Sequence, residues 1–65
     1  MSEAFVYRLM DERDALKDKY VKLTNFLESG DSDGLTFEEV VDLQTQHFHM
    51  GEYLRVLEHR IKRYS

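Results

Sequence analysis

Apolar residues recur at alternating spacings of three and four along the first half of the chain, with one interruption at Arg13. This spacing places them on one side of an α-helix. Ser2 is positioned to cap that helix, and Glu3 suits the positive end of its dipole. The pattern therefore predicts a helix over about residues 3–28. Its apolar stripe consists of Val6, Leu9, Leu16, Tyr20, Leu23 and Leu27.

A cluster of glycine, serine and aspartate follows the first stripe and predicts a turn over residues 29–35. Thr36 and Glu39 then have the spacing of a capping box, in which both side chains bond to backbone N–H groups at the start of a helix. A second stripe predicts that this helix covers about residues 37–63. Gly51 lies within this helix and destabilises it by about 1 kcal/mol relative to alanine. Close packing of another helix or access for a ligand would explain this glycine, and we favour packing. The second stripe consists of Val40, Leu43, His47, Met50, Leu54, Leu57, Ile61 and Tyr64.

Two helices joined by a short turn predict an all-α fold, an antiparallel helical hairpin that forms a single domain over residues 1–65. A chain of 65 residues buries only about 60% of the surface that it exposes when unfolded, and with no cysteine it has no disulfide to compensate. Several apolar residues also remain outside both stripes. We expect them to form an interface through which the chain assembles into a compact homo-oligomer. They are Phe5, Met10, Phe26, Val41, Phe48, Tyr53 and Val56.

The net charge of −4 argues against DNA as a partner, because nucleic-acid-binding domains usually carry a basic excess. No apolar run approaches the roughly 18 residues needed to span a bilayer, so no membrane segment is expected. The charges are nevertheless separated along the hairpin, which favours a small anion bound at the basic end. The turn end contains Glu28, Asp31, Asp33, Glu38, Glu39 and Asp42, and the open end contains Arg8, Arg55, Arg60, Lys62 and Arg63.

Neither metal binding nor catalysis is indicated by the sequence. The turn superficially resembles a calcium loop, but the register set by its glycine puts Ser29 and Val40 where that loop needs ligands. His47 and His49 are about 200° apart on a helix and cannot chelate one ion. We expect His47 to be a hydrogen-bonded core or interface residue. No serine or cysteine lies in a catalytic motif, so we expect no enzyme activity, cofactor or resident metal.

Residues 7–16, residues 19–27 and the stretch 43–46 resemble the two helices of small phage proteins that carry the anti-CBASS and anti-Thoeris hairpin domain. The resemblance covers nearly the whole chain and continues through Met50, Tyr53, Leu54, Leu57, Arg60 and Ile61. Members of that family bind cyclic oligonucleotide signals of bacterial defence systems and sequester them without cleavage. The resemblance implies a hexamer with pockets between protomers. It also implies action in the cytoplasm of the infected bacterial host, on ligands such as cyclic GMP–AMP (cGAMP) or a cyclic trinucleotide.

The resemblance further implies roles for individual residues. Tyr7 matches an aromatic residue that stacks on a base, and Lys22 matches a lysine that meets a phosphate. Thr24 and Arg60 are candidates for a further phosphate-binding set, used by some members for cyclic trinucleotides. Arg8 adds a guanidinium plane, which suits both stacking and phosphate binding.

Tyr7 and Lys22 lie fifteen residues apart, which is roughly 22 Å on one continuous helix. That separation is too large for one small ligand held by a single chain. Either the first helix breaks after its first turns, or the two residues of one pocket come from different protomers. Both alternatives favour a pocket at a subunit interface.

A helical assembly or adaptor module, which would bind a partner protein through the leftover apolar face, is the alternative function. Under that hypothesis, replacement of Tyr7 and Lys22 would leave function intact. Changes at Phe26 or Phe48 would destroy it.

Overall fold

The computed structural model describes residues 3–64 and contains two long helices joined by a short 3₁₀ helix. Helix α1 is Glu3–Glu28, the 3₁₀ helix is Asp31–Gly34, and helix α2 is Phe37–Arg63. The two long helices pack against each other along their length, so the predicted all-α hairpin is confirmed. The expected cap at Ser2 lies outside the described residues.

The turn is built by local hydrogen bonds on both sides of a left-handed glycine. Gly30 has a φ of 88°, a conformation that side-chain-bearing residues rarely adopt. The Asp33 N–H donates to the Gly30 carbonyl at 3.1 Å, and the Leu35 N–H donates to the Ser32 carbonyl at 3.0 Å. These bonds wind the expected turn into a single 3₁₀ turn.

The capping box at the start of α2 is formed as predicted. The Glu39 N–H donates to the Thr36 hydroxyl at 3.1 Å, and the Thr36 N–H donates to the Glu39 carboxylate at 3.0 Å. The pKa of Glu39 is lowered below its ordinary value. The main cause is the hydrogen bond that the Thr36 backbone N–H donates to the charged carboxylate, and the interaction of the Thr36 hydroxyl with the same carboxylate is the second.

The buried core lies towards the open end of the hairpin. It consists of Leu9, Leu57 and Ile61, all of them on the predicted stripes. Phe5 and Met10 were expected to be left over, but both are half-buried and pack against this core, so that expectation is wrong for them. The reason is that the packed helices cover a wider band of α1 than its narrow stripe, and Phe5 is covered in addition by Tyr64, whose ring lies edge-to-face against it directly after α2.

A second set of inter-helix contacts lies nearer the turn. The rings of Tyr20 and His47 stack with centroids 4.4 Å apart and planes inclined by 15°. His47 Nε2 lies 2.6 Å from the Thr24 hydroxyl. Gly51 faces the same tyrosine, and a Cβ added there would lie 3.1 Å from Tyr20 Cε1. Helix α1 therefore packs closely against Gly51, which is the explanation that we favoured for this glycine.

Arg13, the interruption in the first stripe, is held by carboxylates at the edge of the helix pair. Its guanidinium lies 2.7 Å from Asp14 and 3.2 Å from Glu58 of the opposite helix. The hydrogen bond to Asp14 is the main cause of a raised Arg13 pKa, and both carboxylates add a favourable charge interaction. A charged residue is tolerated on the stripe because its head group reaches the hairpin surface.

Candidate ligand-binding site

Tyr7 lies at the open end of the hairpin, where it borders a shallow groove. Its side chain is 61% exposed, so one face of the ring is free to receive a flat group. The groove has a volume of about 410 Å³. Its other lining residues are Glu3, Val6, Met10 and Tyr64.

Arg8 and Arg60 are brought to one edge of the hairpin by the geometry of the two helices. Arg8 directly precedes the buried Leu9, and Arg60 directly precedes the buried Ile61. Successive residues of an α-helix are rotated by about 100° around its axis. In two antiparallel helices, the residues one position before the inward-facing residues therefore lie on the same side of the pair. Both guanidinium groups are exposed, and neither forms an ion pair with another residue of the described range 3–64. We call this side of the molecule the arginine edge.

Lys22 lies in the other half of α1. Its ammonium pairs with the Asp18 carboxylate at 2.9 Å, and both side chains are largely exposed. Because α1 is continuous from Glu3 to Glu28, Lys22 is about 22 Å from Tyr7 along the helix axis. The first of our two alternatives, a break in the helix, is therefore not present, and one chain alone does not bring these two residues together.

The Thr24 hydroxyl is used inside the hairpin. It donates its proton to the Tyr20 carbonyl at 2.8 Å and lies 2.6 Å from His47 Nε2. Since a hydroxyl has one proton, His47 must then donate its Nε2–H to the Thr24 oxygen. An incoming phosphate would have to displace one of these bonds, so Thr24 is less accessible than the other candidates.

Among the five candidate residues, the structure groups Tyr7, Arg8 and Arg60 at the open end and separates them from Lys22 and Thr24. Tyr64 was missed as a groove residue because its place on the second stripe suggested burial. It is instead half-covered, with its ring edge-to-face against Phe5 at 5.7 Å. Its position directly after α2 was the available signal, because residues at a helix end lack neighbours on one side.

Within residues 3–64, no three His, Asp or Glu side chains are placed to hold one ion. Neither long helix of that range has an apolar segment of sufficient length to cross a membrane.

The fold and the open-end groove define a small helical-hairpin protein that presents an exposed aromatic residue, Tyr7, and two exposed arginines, Arg8 and Arg60, at its open end. In comparisons with known proteins, the model of the Sequestin family matches residues 3–63. This match covers nearly the whole chain, and the protein belongs to the Sequestin family. No curated protein and no solved structure matches it.

Proposed function

We propose that this protein binds cyclic oligonucleotide second messengers and sequesters them without cleavage. On this proposal it is a phage protein that acts in the cytoplasm of the infected bacterium and blocks CBASS-type immune signalling. The name of the Sequestin family is consistent with a sequestering role. The observation that carries the choice of ligand is the exposed Tyr7 ring at the same end as Arg8 and Arg60.

The chemistry of a cyclic dinucleotide fits these groups. Such a ligand presents flat bases and two phosphates within one small ring, so it requires planes for stacking and donors for negative charge. Tyr7 supplies an exposed aromatic plane. Arg8 and Arg60 supply guanidinium groups, which bind phosphate through paired donors.

Lys22 of a second copy of the chain contributes to the pocket that contains Tyr7. A separation of about 22 Å prevents Tyr7 and Lys22 of one hairpin from holding the same small ligand. A pocket that uses both residues is therefore formed by two copies, and we expect a homo-oligomer, a hexamer by family resemblance. Thr24 and Arg60 remain the candidates for a cyclic trinucleotide, with the Thr24 hydroxyl released from its bonds to Tyr20 and His47.

Calorimetric titration with cGAMP and with cyclic trinucleotides tests the ligand. Tyr7→Ala should weaken binding about 10- to 100-fold, because base stacking on an aromatic ring contributes about 1–3 kcal/mol. Tyr7→Phe keeps the ring plane and should bind nearly as well as the unmodified protein. Chromatography of the ligand after release should recover it intact. No heat with any cyclic nucleotide at high micromolar ligand would refute the proposed function.

The shared pocket has its own test, in which two inactive variants are mixed. Tyr7→Ala and Lys22→Ala should each lose tight binding, whereas Lys17→Ala, an exposed lysine elsewhere on α1, should retain it. Suppose that each pocket uses Tyr7 of one copy and Lys22 of another, and that an equal mixture of the two variants exchanges subunits. Half of the adjacent pairs then contain one copy of each variant, and one of the two pockets of such a pair is intact. The mixture should therefore regain about a quarter of the pockets. A mixture that recovers no binding would contradict the shared pocket while leaving the ligand assignment intact.

The adaptor function is favoured by one observation, the exposure of large apolar side chains on α2. Phe48 is one of these, whereas Phe26 is half-buried beside the turn. Under the adaptor hypothesis, Phe48→Ala abolishes function and Tyr7→Ala does not. The titrations above distinguish the two functions, because an adaptor binds no cyclic nucleotide.

A further inference from the structure

A second groove lies at the turn end of the hairpin, far from Tyr7. It has a volume of about 350 Å³, which is within the range of ligand pockets. Because Phe26 is nineteen residues beyond Tyr7, the groove lies roughly 28 Å from that ring along α1. Its walls combine three half-buried apolar side chains with two exposed acidic ones. We call it the turn-end groove, and it is lined by Phe26, Leu35, Glu39, Asp42 and Leu43.

The elements that meet at the turn bring these five side chains together. Phe26 comes from the last turn of α1, and Leu35 comes from the connection just before α2. Leu43 lies on α2 one turn beyond Glu39. Glu39 and Asp42 are three residues apart, so their carboxylates lie on the same side of that helix. Apolar surface and a pair of carboxylates therefore share one groove.

One of the two carboxylates is held in place by the capping box. Oε1 of Glu39 accepts the Thr36 N–H at 3.0 Å, and this backbone bond lowers the pKa of Glu39, which stays charged at neutral pH. Within residues 3–64, Oε2 of Glu39 and both carboxylate oxygens of Asp42 accept no hydrogen bond and join no ion pair. A carboxylate has about four acceptor positions, so both groups can accept donors from outside the chain.

The turn half of the chain has no strong cation to neutralise these carboxylates. Residues 23–54 contain seven acidic residues and no lysine or arginine. A region with charge of one sign attracts partners of the opposite sign and repels those of the same sign. The anionic ligands of the proposed function are therefore disfavoured at this end, and a cation is favoured.

We infer that the turn-end groove docks a basic segment of a partner protein, with one arginine side chain in the groove. The apolar stem of an arginine packs on Leu35 and Leu43, and its planar guanidinium stacks on the ring of Phe26. Its N–H groups donate to the free oxygens of Glu39 and Asp42. The acidic residues extend over the whole turn half, which favours a segment with several cations over a small organic cation.

Fluorescence anisotropy with two labelled peptides tests this chemistry on the full chain. The probe is a nine-residue peptide in which arginine alternates with serine, and the comparison peptide has lysine at every arginine position. The arginine peptide should bind, and added salt should weaken its binding. The lysine peptide has the same charge but lacks the planar group that stacks and donates in pairs, so it should bind about 5-fold more weakly.

Two matched variants locate the binding site of the arginine peptide. Asp42→Asn removes a carboxylate of the groove and should weaken binding about 10-fold, because a hydrogen bond between charged groups is lost. Glu28→Gln removes the same charge at the same end of the hairpin, but Glu28 lies about 160° from Phe26 around α1 and does not line the groove. This variant should bind within about twofold of the unmodified protein, because exposed charges are screened. Both replaced side chains are exposed, so circular dichroism should give unchanged helicity.

Three results would overturn the inference. One is the absence of any anisotropy change at high micromolar protein. Another is equal weakening by Asp42→Asn and Glu28→Gln, which would mean attraction by net charge alone. The third is a lower mass of Asp42→Asn in light scattering, which would assign the groove to the basic last turn of α2 in a second copy. The groove is separate from Tyr7, so calorimetric binding of cyclic nucleotides should be the same with and without the peptide, and failure here leaves the proposed function intact.

Discussion

Gly51→Ala is expected to leave the stability of the hairpin nearly unchanged, although the same substitution usually stabilises a helix. The gain from helix propensity is about 1 kcal/mol for an interior glycine. Against it stands a new contact, because the added Cβ would lie 3.1 Å from Tyr20 Cε1 and 3.3 Å from its Oη. These distances are a few tenths of an ångström shorter than ordinary carbon contacts, so the ring must move.

The cost of that movement depends on what holds the ring. Tyr20 is stacked on His47 at 4.4 Å, and its carbonyl accepts the hydrogen bond from Thr24. Weakening an aromatic stack costs about 0.5–1.5 kcal/mol, which is the same size as the propensity gain. The two effects should therefore cancel, to within about 0.5 kcal/mol.

A double-mutant cycle separates the two contributions. Tyr20→Leu removes the ring atoms that meet the new Cβ and keeps an apolar side chain, so Gly51→Ala should stabilise that background by about 1 kcal/mol. Urea denaturation followed by circular dichroism measures all four proteins, at two chain concentrations so that any assembly is accounted for. The reasoning is refuted if Gly51→Ala gains the full 1 kcal/mol in the unmodified protein and no more in the Tyr20→Leu background.

Three further predictions follow from the core, the capping box and the inter-helix ion pair. Leu57→Ala should lower the free energy of unfolding, measured by urea denaturation, by about 2–5 kcal/mol, because this side chain has no exposed surface. Such a loss is enough to leave the hairpin largely unfolded, whereas a loss below about 1 kcal/mol would contradict the position of the core. The pKa of Glu39 is lowered by the bonds from Thr36, so its contribution to stability is complete above the ordinary value of 4.5 and is lost as the pH falls through the lower pKa of the folded protein. Glu39→Gln keeps an acceptor for the capping box and should remove this component of the acid sensitivity in pH-dependent thermal melts, and identical acid profiles for the two proteins would count against it. Arg13 and Glu58 should couple only weakly in a double-mutant cycle, and added salt should reduce that coupling, because the pair lies at the surface.

The inward-facing side chains were predictable because helical spacing alone determines which residues share a side. Leu9, Leu57 and Ile61 are buried as their stripes indicate, and the Thr36–Glu39 spacing correctly places the start of α2. Coverage of Phe5 was not predictable, because it depends on the orientation of the Tyr64 ring, directly after α2, with which it packs edge-to-face.

The candidate site was only partly predictable for a related reason. An antiparallel hairpin brings the two chain ends together, so the location of Tyr7 and Arg60 at one end follows from the topology. The engagement of the Thr24 hydroxyl does not, because it depends on the ring of His47, twenty-three residues away. Such a bond depends on the register of the two helices, which a stripe of apolar residues does not fix by itself.

Because the core lies at the open end, that end of the hairpin should resist local unfolding more than the turn end does. Near the chain ends, Leu9, Leu57 and Ile61 exclude water, whereas nearer the turn the helices meet through a stacked ring pair and a hydroxyl. Amide hydrogens around the turn should therefore exchange with solvent faster than those near the core. The turn itself is accordingly the segment in which added residues would be tolerated, because a longer connection costs little closure entropy and disturbs none of the buried side chains.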